Sequence, residues 1–244
     1  MGNGKIYVIG LGPGGREQMS TRALRALEEC TCVAGYGLYL NLIEGLIAGK
    51  ERIETGMTRE LERCRAALDA ALDGKTVALV SSGDAGVYGM AGPLLEVCAG
   101  SPVPIEVIPG ITAACSGGAL LGSPLTCDFA CVSLSDLLTP WEVIEQRLRG
   151  AAAGDFALVL YNPSSKKRAD ALPRACAILL ETLPPETICG LVRSIGRKGE
   201  SRTLTTLGGL AAQPCDMLTT VFIGNSKTRA VDGWMVTPRG YRGL

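Results

Sequence analysis

Histidine is absent from this chain of 244 residues, and its ten cysteines form no Cys-x-x-Cys pair. The spacings that typically bind zinc or iron–sulfur clusters are therefore missing. Most of the cysteines lie within apolar stretches, where a free thiol packs as a small hydrophobic side chain. Cys30 with Cys32, and Cys127 with Cys131, could still meet in space, but we expect no protein-bound metal.

An excess of charge of either sign is also missing, because Lys plus Arg and Asp plus Glu both number 24. This balance gives no electrostatic reason to expect nucleic acid or a membrane surface as a partner. No apolar run approaches the length of about 20 residues that spans a bilayer, and the N-terminus lacks the apolar segment of a signal peptide. These absences predict a cytoplasmic protein.

Glycine is abundant, and four glycines fall within residues 83–92. They follow the apolar stretch 76–80, which is typical of a buried strand in a parallel sheet. Glycine lets the backbone approach a ligand closely, and open α/β sheets bind ligands in loops at the carboxyl ends of their strands. Asp84 and Tyr88 supply the strongest polar side chains of this loop. The alternative is an ordinary strand-to-helix turn in which Asp84 caps the helix.

A second glycine-rich turn, residues 10–15, matches the Gly-x-Gly-x-x-Gly pattern of dinucleotide-binding proteins. Pro13, however, has no N–H where backbone amides would have to face a pyrophosphate. No acidic residue that could hold a ribose follows the next predicted strand, 31–34, and Arg16-Glu17 stands where a P-loop needs Lys-Ser or Lys-Thr. A tight turn explains this segment about as well as a binding loop does.

Strand and helix patterns alternate along the chain, which predicts an α/β fold. The predicted strands are 5–11, 31–34, 52–54, 76–80, 105–108, 129–135, 156–161, 187–193, 202–204 and 218–224. The predicted helices are 20–29, 36–47, 58–72, 93–98, 140–148 and 168–183. In the helix that starts at Thr58, we expect Leu61, Leu68 and Leu72 on the apolar face and Arg63 among the charged residues.

The length and the 47% content of hydrophobic residues allow two small domains with sizeable cores. Small residues cluster between 117 and 124, and we place the boundary there, which gives domains 1–119 and 120–244. The tail from Trp234 onward is expected to be poorly ordered.

Three motifs together resemble the tetrapyrrole methylases: Ile9-Gly-Leu-Gly-Pro-Gly14, Ser82-Gly-Asp84 and Val107-Ile-Pro-Gly-Ile-Thr-Ala-Ala114. The resemblance extends to about Arg229. It implies a two-domain α/β fold in which each domain is a mostly parallel or mixed sheet flanked by helices. It also implies S-adenosyl-L-methionine as the methyl donor, bound in the cleft between the domains, and S-adenosyl-L-homocysteine as the product.

Five further motifs resemble one branch of this family: Gly56-Met-Thr-Arg-Glu60, Gly83-Asp-Ala-Gly-Val-Tyr-Gly-Met-Ala91, Ser133-Leu-Ser-Asp-Leu-Leu-Thr-Pro-Trp141, Leu160-Tyr-Asn-Pro-Ser164 and Asp216-Met-Leu-Thr-Thr220. The branch methylates precorrin-3B at C-17 and contracts the ring to precorrin-4 in cobalamin biosynthesis. The resemblance implies the same activity here, on a small-molecule tetrapyrrole, in a homodimer. Cobalt-factor III, the cobalt-containing analogue, is the alternative substrate, and the sequence does not separate the two.

The matching motifs also imply which residues contact the ligands. The cofactor contacts would be Ser82, Gly83, Asp84, Val87, Tyr88, Thr112, Ala113, Asn162, Leu191 and Thr219. The substrate would be bordered or bound by Gly12, Pro13, Gly14, Arg16, Arg59, Ser133 and Arg193. Lys166, Lys167 and Arg168 are further candidate partners for its carboxylates, although a solvated charged face explains these three residues equally well.

Ring contraction requires a base that takes the proton from a hydroxyl group on the ring carbon that is later expelled. Asp84 and Asp136 are the candidate bases, with Ser133, Ser135 and Tyr88 as hydrogen-bonding residues. A cap for the helix after Pro140 explains Asp136 as well as a catalytic role does.

One position departs from the branch, because Cys127 stands where the branch usually has a histidine before Asp-Phe. Any acid–base or ligand role of that histidine therefore does not carry over. Two other classes of function remain open, a nucleotide-dependent oxidoreductase that uses the Gly-x-Gly-x-x-Gly turn and a non-catalytic tetrapyrrole carrier.

Overall fold

The computed structural model describes residues 4–165 and 168–241, and the chain divides into two compact units, 1–113 and 114–244. The boundary expected from the sequence, between 119 and 120, lies inside the helix Ala113–Leu121 at this junction and stays a prediction. Among the described residues, no helix has both the length and the apolar character needed to cross a membrane.

The first unit is a five-stranded parallel sheet with helices on both faces. Its strands are β1 (Lys5–Gly10), β2 (Cys32–Tyr36), β3 (Glu51–Thr55), β4 (Thr76–Ser81) and β5 (Ile105–Ile108), and its helices are α1 (Thr21–Glu29), α2 (Gly37–Leu42), α3 (Glu60–Leu72) and α4 (Ala91–Val97). The strand order is β3-β2-β4-β1-β5, and every neighbouring pair is parallel. The loops that follow β4, β1 and β5 therefore leave the sheet side by side at one edge.

Both faces of this sheet are buried, and alternate residues of β1 enter two different cores. Ile6 and Val8 belong to one hydrophobic cluster, while Tyr7 and Ile9 belong to the other. A strand that is covered on both faces needs no polar side, which explains its nearly continuous apolar sequence. On one face, α1 begins after Ser20, whose Oγ accepts a hydrogen bond from Ala23 N at 3.1 Å.

Of the three leucines expected on the apolar face of α3, only Leu68 packs against the core. Leu61 and Leu72 are exposed, whereas Arg63 is buried. The other buried residues are small: Cys64, Ala67, Ala70 and Ala71. Because small side chains bring the helix close to the sheet, Leu61 and Leu72 fall on the solvent side. Spacings of three and four residues between the small residues were the pattern that identifies the packed face.

The second unit is built on a five-stranded mixed sheet. Its helices are α5 (Ala113–Leu121), α6 (Trp141–Ala153), α7 (Ala171–Leu179) and α8 (Leu207–Leu210), and its strands are β6 (Gly122–Ser123), β7 (Phe129–Ser133), β8 (Ala157–Tyr161), β9 (Ile188–Arg193), β10 (Ser201–Thr206), β11 (Thr219–Ile223), β12 (Arg229–Val231) and β13 (Trp234–Val236). The main sheet has the order β10-β9-β11-β8-β7, in which only β7 and β8 are parallel. The α/β class with mostly parallel or mixed sheets is thus confirmed.

The small residues from which the sequence predicted a domain boundary lie largely in the helix α5. A Cβ atom on Gly117 would lie 2.9 Å from the ring of Phe222, so glycine allows α5 to approach β11 closely. The expectation of a poorly ordered tail from Trp234 was also wrong at its start. Trp234 begins β13, which pairs with β12 and β6, and Met235 is fully buried.

Candidate active site

Three loops meet at the carboxyl edge of the first sheet, and backbone hydrogen bonds join two of them. Gly12 N donates to Gly83 O at 3.0 Å, and Gly83 N donates to Gly12 O at 2.8 Å. A Cβ atom on Gly110 would lie 2.2 Å from Gly83 O and 2.6 Å from the carbonyl carbon of Gly10. Side chains are therefore excluded where these loops meet, and the edge presents backbone atoms to anything that binds there.

Asp84 fastens two of these loops. Its Oδ1 accepts from Gly86 N at 2.8 Å, and its Oδ2 accepts from Gly110 N at 2.9 Å. The alternative role as a helix cap was wrong, because α4 begins seven residues later and its N-cap residue is Met90. Both carboxylate oxygens are engaged with backbone amides, so the geometry favours a positioning role for Asp84 over proton abstraction.

The residues expected to contact the cofactor in the first unit lie along this edge. Gly83 adopts a φ of 66°, and a Cβ atom there would be 3.7 Å from Thr112 Cα and 3.9 Å from Ala113 N. Tyr88 also has a positive φ, 53°, which is uncommon for a large residue, and its side chain is exposed. Ser82 and Val87 are half-buried in the same loop. The structure thus brings the segments 82–88 and 112–113 together.

The Gly-x-Gly-x-x-Gly turn has few amides available for a phosphate. The Gly12 N–H already donates to Gly83 O, and Pro13 has no N–H. Gly14 is half-buried and Arg16 is exposed in a short 3₁₀ helix, Arg16–Gln18. A cavity of about 350 Å³ lies beside this turn, lined by residues 17–20 and 109–111.

Arg63 is a buried residue that sequence reasoning missed. Its Nε donates to Thr55 Oγ1 at 2.8 Å, its Nη2 donates to Gly56 O at 3.0 Å, and its Nη1 lies 3.4 Å from Met90 Sδ. It therefore ties the loop after β3 to the end of the glycine-rich loop. Arg59, the neighbour expected to bind substrate, is exposed and forms an ion pair with Glu62 at 2.5 Å.

In the second unit, the carboxyl ends of β7 and β8 bring three of the expected residues together. Asn162 Nδ2 donates to Ser133 Oγ at 2.9 Å, and Ser135 N donates to the same oxygen at 3.2 Å. Asn162 has a φ of 54°, a conformation that asparagine tolerates better than most residues. Tyr161, which precedes it, accepts a hydrogen bond on its hydroxyl oxygen from Ala114 N at the start of α5.

Asp136 lies in the loop between β7 and α6. Its Oδ1 is 3.5 Å from Nε of Arg168, whose Nη1 donates to Leu134 O at 3.1 Å. The alternative of a helix cap was wrong, because the N-cap residue of α6 is Pro140 and no side chain caps it. Arg168 thus holds this loop. Lys166 and Lys167, the other two cations expected here, lie outside the described residues.

Two of the remaining expected residues, Arg193 and Thr219, belong to a second polar cluster, at the end of β9 and the start of β11. Arg193 donates from Nε to Asp216 Oδ2 at 2.9 Å, and its Nη2 lies 2.7 Å from the same oxygen. Thr219 Oγ1 donates to Asp216 Oδ1 at 3.0 Å. Burial would raise the pKa of Asp216, but the hydrogen bonds from Arg193, Leu218 N and Thr219 outweigh it and lower that pKa. Leu191 is buried in the core of this unit, so a ligand would meet its backbone.

No group of three or more His, Cys, Asp or Glu in the described parts of the chain is arranged to hold a metal ion. The buried thiols are poor ligands because burial raises their pKa, to about 11 for both Cys32 and Cys64. The cysteines that are buried act as small apolar side chains in the cores.

A sequence model of the family described as "Tetrapyrrole (Corrin/Porphyrin) Methylases" matches residues 5–211, which is most of the chain. The chain belongs to the tetrapyrrole methylase family, and it is a methyltransferase.

Individual relatives refine this assignment. The chain is 48% identical to the probable cobalt-factor III C(17)-methyltransferase of Salmonella typhimurium over 97% of this chain and 99% of that protein. It is 38% identical to the precorrin-3B C(17)-methyltransferase of a Sinorhizobium species over 98% of both proteins. It is 46% identical to the cobalt-factor III methyltransferase of Priestia megaterium, of whose length it spans 45%. The crystal structure of the methyltransferase CobJ aligns with a TM-score of 0.92 at 38% identity, over 96% of this chain and 100% of that one.

Proposed function

We propose that this protein transfers a methyl group from S-adenosyl-L-methionine to C-17 of a cobalamin precursor, with contraction of its ring. The observation that carries the proposal is the 48% identity, over nearly the whole of both chains, with the Salmonella relative named as a probable cobalt-factor III C(17)-methyltransferase. Fold alone would not carry it, because one fold hosts many functions. A nucleotide-dependent oxidoreductase finds no support among these relatives.

Of the two candidate substrates, the identities favour cobalt-factor III. The sequence motifs do not separate the two, but the relatives named for cobalt-factor III are 48% and 46% identical, against 38% for the relative named for precorrin-3B. The metal would enter inside the tetrapyrrole ring, as part of the substrate, so the choice between the two requires no metal ligand from the protein.

The loops of the first unit fit S-adenosyl-L-methionine better than a dinucleotide. The close approach of Gly10, Gly83 and Gly110 leaves a backbone surface, and the turn with Pro13 has few free amides for phosphates, which this cofactor lacks. When bound, it supplies the methyl group on a positively charged sulfonium. The residues that would hold it are Ser82, Gly83, Asp84, Val87, Tyr88, Thr112 and Ala113 of the first unit and Asn162, Leu191 and Thr219 of the second.

The chain's own work is to position the reactants and move a proton. Holding the methyl group about 3–3.5 Å from the attacking substrate carbon accounts for much of the rate of such displacements. Asp136 is the better candidate for the base of ring contraction, since its side chain is 40% exposed and Arg168 orients it. Its carboxylate would take the hydroxyl proton, with Ser133 and Ser135 nearby as hydrogen-bonding residues. Arg193, Arg59 and Arg16 are the proposed partners of the substrate carboxylates.

The test is mass spectrometry of the products formed from S-adenosyl-L-methionine with cobalt-factor III and, separately, with precorrin-3B. We expect S-adenosyl-L-homocysteine and a ring-contracted tetrapyrrole that carries one additional methyl group, formed faster from cobalt-factor III. Asp136→Asn should bind S-adenosyl-L-homocysteine normally and fail in ring contraction. No methylated product from either tetrapyrrole would contradict the proposal.

Binding measurements separate the other classes of function. Tight binding of NADH, seen by its fluorescence, with no response to S-adenosyl-L-homocysteine would indicate an oxidoreductase. Tetrapyrrole binding without turnover would indicate a carrier. A homodimer, a cytoplasmic location and the absence of nucleic-acid and membrane partners remain part of the proposal, and light scattering of the purified protein tests the first of them.

A further inference from the structure

Leu137 and Leu138 are the least covered pair of apolar neighbours in the described residues of the second unit. Their exposed fractions are 65% and 98%. They lie in the loop that joins β7 to α6, directly after Asp136 and at the carboxyl end of a parallel strand. A leucine that is almost fully exposed gains nothing from burial in the folded chain, and its position calls for an explanation beyond packing.

The start of this loop is held by hydrogen bonds, which restrain the position of the two leucines. Leu134 is fully buried, and its N donates to Tyr161 O at 2.9 Å. Arg168, whose side chain is only 13% exposed, donates to Leu134 O and pairs with Asp136. These contacts hold the residue on the N-terminal side of Leu137 in place.

The residues that precede the pair in this loop are polar and belong to the candidate site. Ser133, Ser135 and Asn162 form one hydrogen-bonded group at the ends of β7 and β8, and Asp136 is next to Leu137 in the chain. An apolar pair beside such a group suits a ligand that has a flat apolar surface and a polar rim. A tetrapyrrole with carboxylate side chains has that chemistry.

We propose that Leu137 and Leu138 pack against the apolar face of the substrate macrocycle and set its position relative to the candidate base Asp136. The inference rests on the proposed function and adds two residues that determine substrate affinity. A second copy of the chain is the less favoured occupant, because two side chains offer far less than the roughly 800 Å² per partner of a stable interface.

The test compares the steady-state kinetics of the Leu137→Ser/Leu138→Ser double variant with the wild type, on whichever tetrapyrrole the wild type converts. Both leucines are exposed, so the substitutions open no cavity and the thermal stability should not change. Loss of apolar contact should raise the KM for the tetrapyrrole by about tenfold or more, which corresponds to 1.4 kcal/mol. The affinity of the double variant for S-adenosyl-L-homocysteine should stay the same. The single variant Leu138→Met, which keeps an apolar side chain, should retain most of the wild-type affinity for the tetrapyrrole.

Leu180→Ser is the matched control, because Leu180 is an exposed leucine at the end of α7, outside this loop. It should leave the KM unchanged. An unchanged KM in the double variant would overturn the inference while leaving the proposed function intact. The same holds if light scattering shows that the variant has changed from dimer to monomer and this change accounts for the lost affinity. Failure of the wild type to convert either tetrapyrrole would overturn the proposed function and the inference with it.

Discussion

The Asp84 carboxylate accepts a hydrogen bond from the Gly110 amide at 2.9 Å, although 26 residues separate the two in sequence. This contact joins the loop after β4 to the loop after β5. Because its other oxygen accepts from Gly86 N, the side chain also fixes the shape of its own loop. The carboxylate therefore organises the backbone surface where we propose that the cofactor binds.

Replacement of Asp84 should weaken cofactor binding more than it weakens the fold. Asp84→Ala leaves two backbone amides without an acceptor, which costs about 1–3 kcal/mol for each one that water cannot reach. We expect a folded protein whose affinity for S-adenosyl-L-homocysteine, measured by calorimetry, falls at least about tenfold. Asp84→Asn keeps one acceptor oxygen and should fall between the two.

Asp69→Ala is the control for this substitution, because Asp69 is exposed on α3 in the same unit. It should match the wild type in affinity and in melting temperature. Methyl transfer at the wild-type rate by Asp84→Ala would show that the loop after β4 is only a turn.

A side chain at Gly110 should disrupt the first unit. The Cβ atom of Gly110→Ala would overlap Gly83 O and Gly10 C, which are backbone atoms that cannot move aside cheaply. We expect the free energy of unfolding in urea to fall by about 3 kcal/mol or more. Gly92→Ala is the control, since nothing lies within 4 Å of its Cβ position in α4, and it should raise the stability by up to about 1 kcal/mol. Equal stabilities of the two variants would contradict the close packing of the loops.

The central strands β1 and β4 were predictable from the sequence because burial on both faces makes them nearly continuous apolar runs. The predicted 76–80 and 105–108 correspond to β4 (Thr76–Ser81) and β5 (Ile105–Ile108). The helix α5 was not predicted, because Gly117 and Gly118 lower helix propensity. The small size of Gly117 is instead required by Phe222, on a strand about a hundred residues away, and a single sequence does not show that contact.

The candidate site could be predicted by residue type but not by pairing. Asp84 and Asp136 stood out as polar residues in unusual loops, and both are at strand ends in the structure. Their partners, Gly110 and Arg168, are 26 and 32 residues away, and only the order of strands in each sheet brings them into contact. Arg63 was assigned to the charged residues of α3 for the same reason, because its acceptors lie on another loop.

Acid should weaken the first unit through Glu106. This carboxylate accepts from Arg22 at 2.7 Å and 2.8 Å and from Lys5 at 2.6 Å, and these two cations lower its pKa to about 2. A carboxyl whose pKa is lower in the folded state stabilises the fold above its unfolded pKa, and that contribution is lost as the pH falls from about 4.5 toward 2. We expect the melting temperature of the wild type to exceed that of Glu106→Gln at pH 7, with the gap closing below about pH 4.

Salt and a neutral control identify the source of that gap. Glu106 and its partners Arg22 and Lys5 are partly exposed. Raising the salt concentration to 1 M should therefore reduce the difference in melting temperature between the wild type and Glu106→Gln. Glu96→Gln, at an exposed position in α4, should melt as the wild type does at every pH. A gap that stays constant from pH 7 to pH 3 would show that packing of Glu106, and not its charge, stabilises the sheet.

Cys127 should prove dispensable for methyl transfer, although it stands where the branch usually has histidine. Its thiol makes one weak contact, with Pro238 O at 3.6 Å, and the chain contains no histidine to activate it as a nucleophile. The displacement needs no enzyme nucleophile, since the attacking carbon belongs to the substrate. Cys127→Ser can keep the contact with Pro238 through its hydroxyl group and should retain most of the turnover rate. Cys127→His should be tolerated or better.

A fall in the turnover rate of more than about a hundredfold for Cys127→Ser, at unchanged melting temperature, is the scale of a lost acid–base catalyst. It would mean that the thiol has taken over a catalytic task.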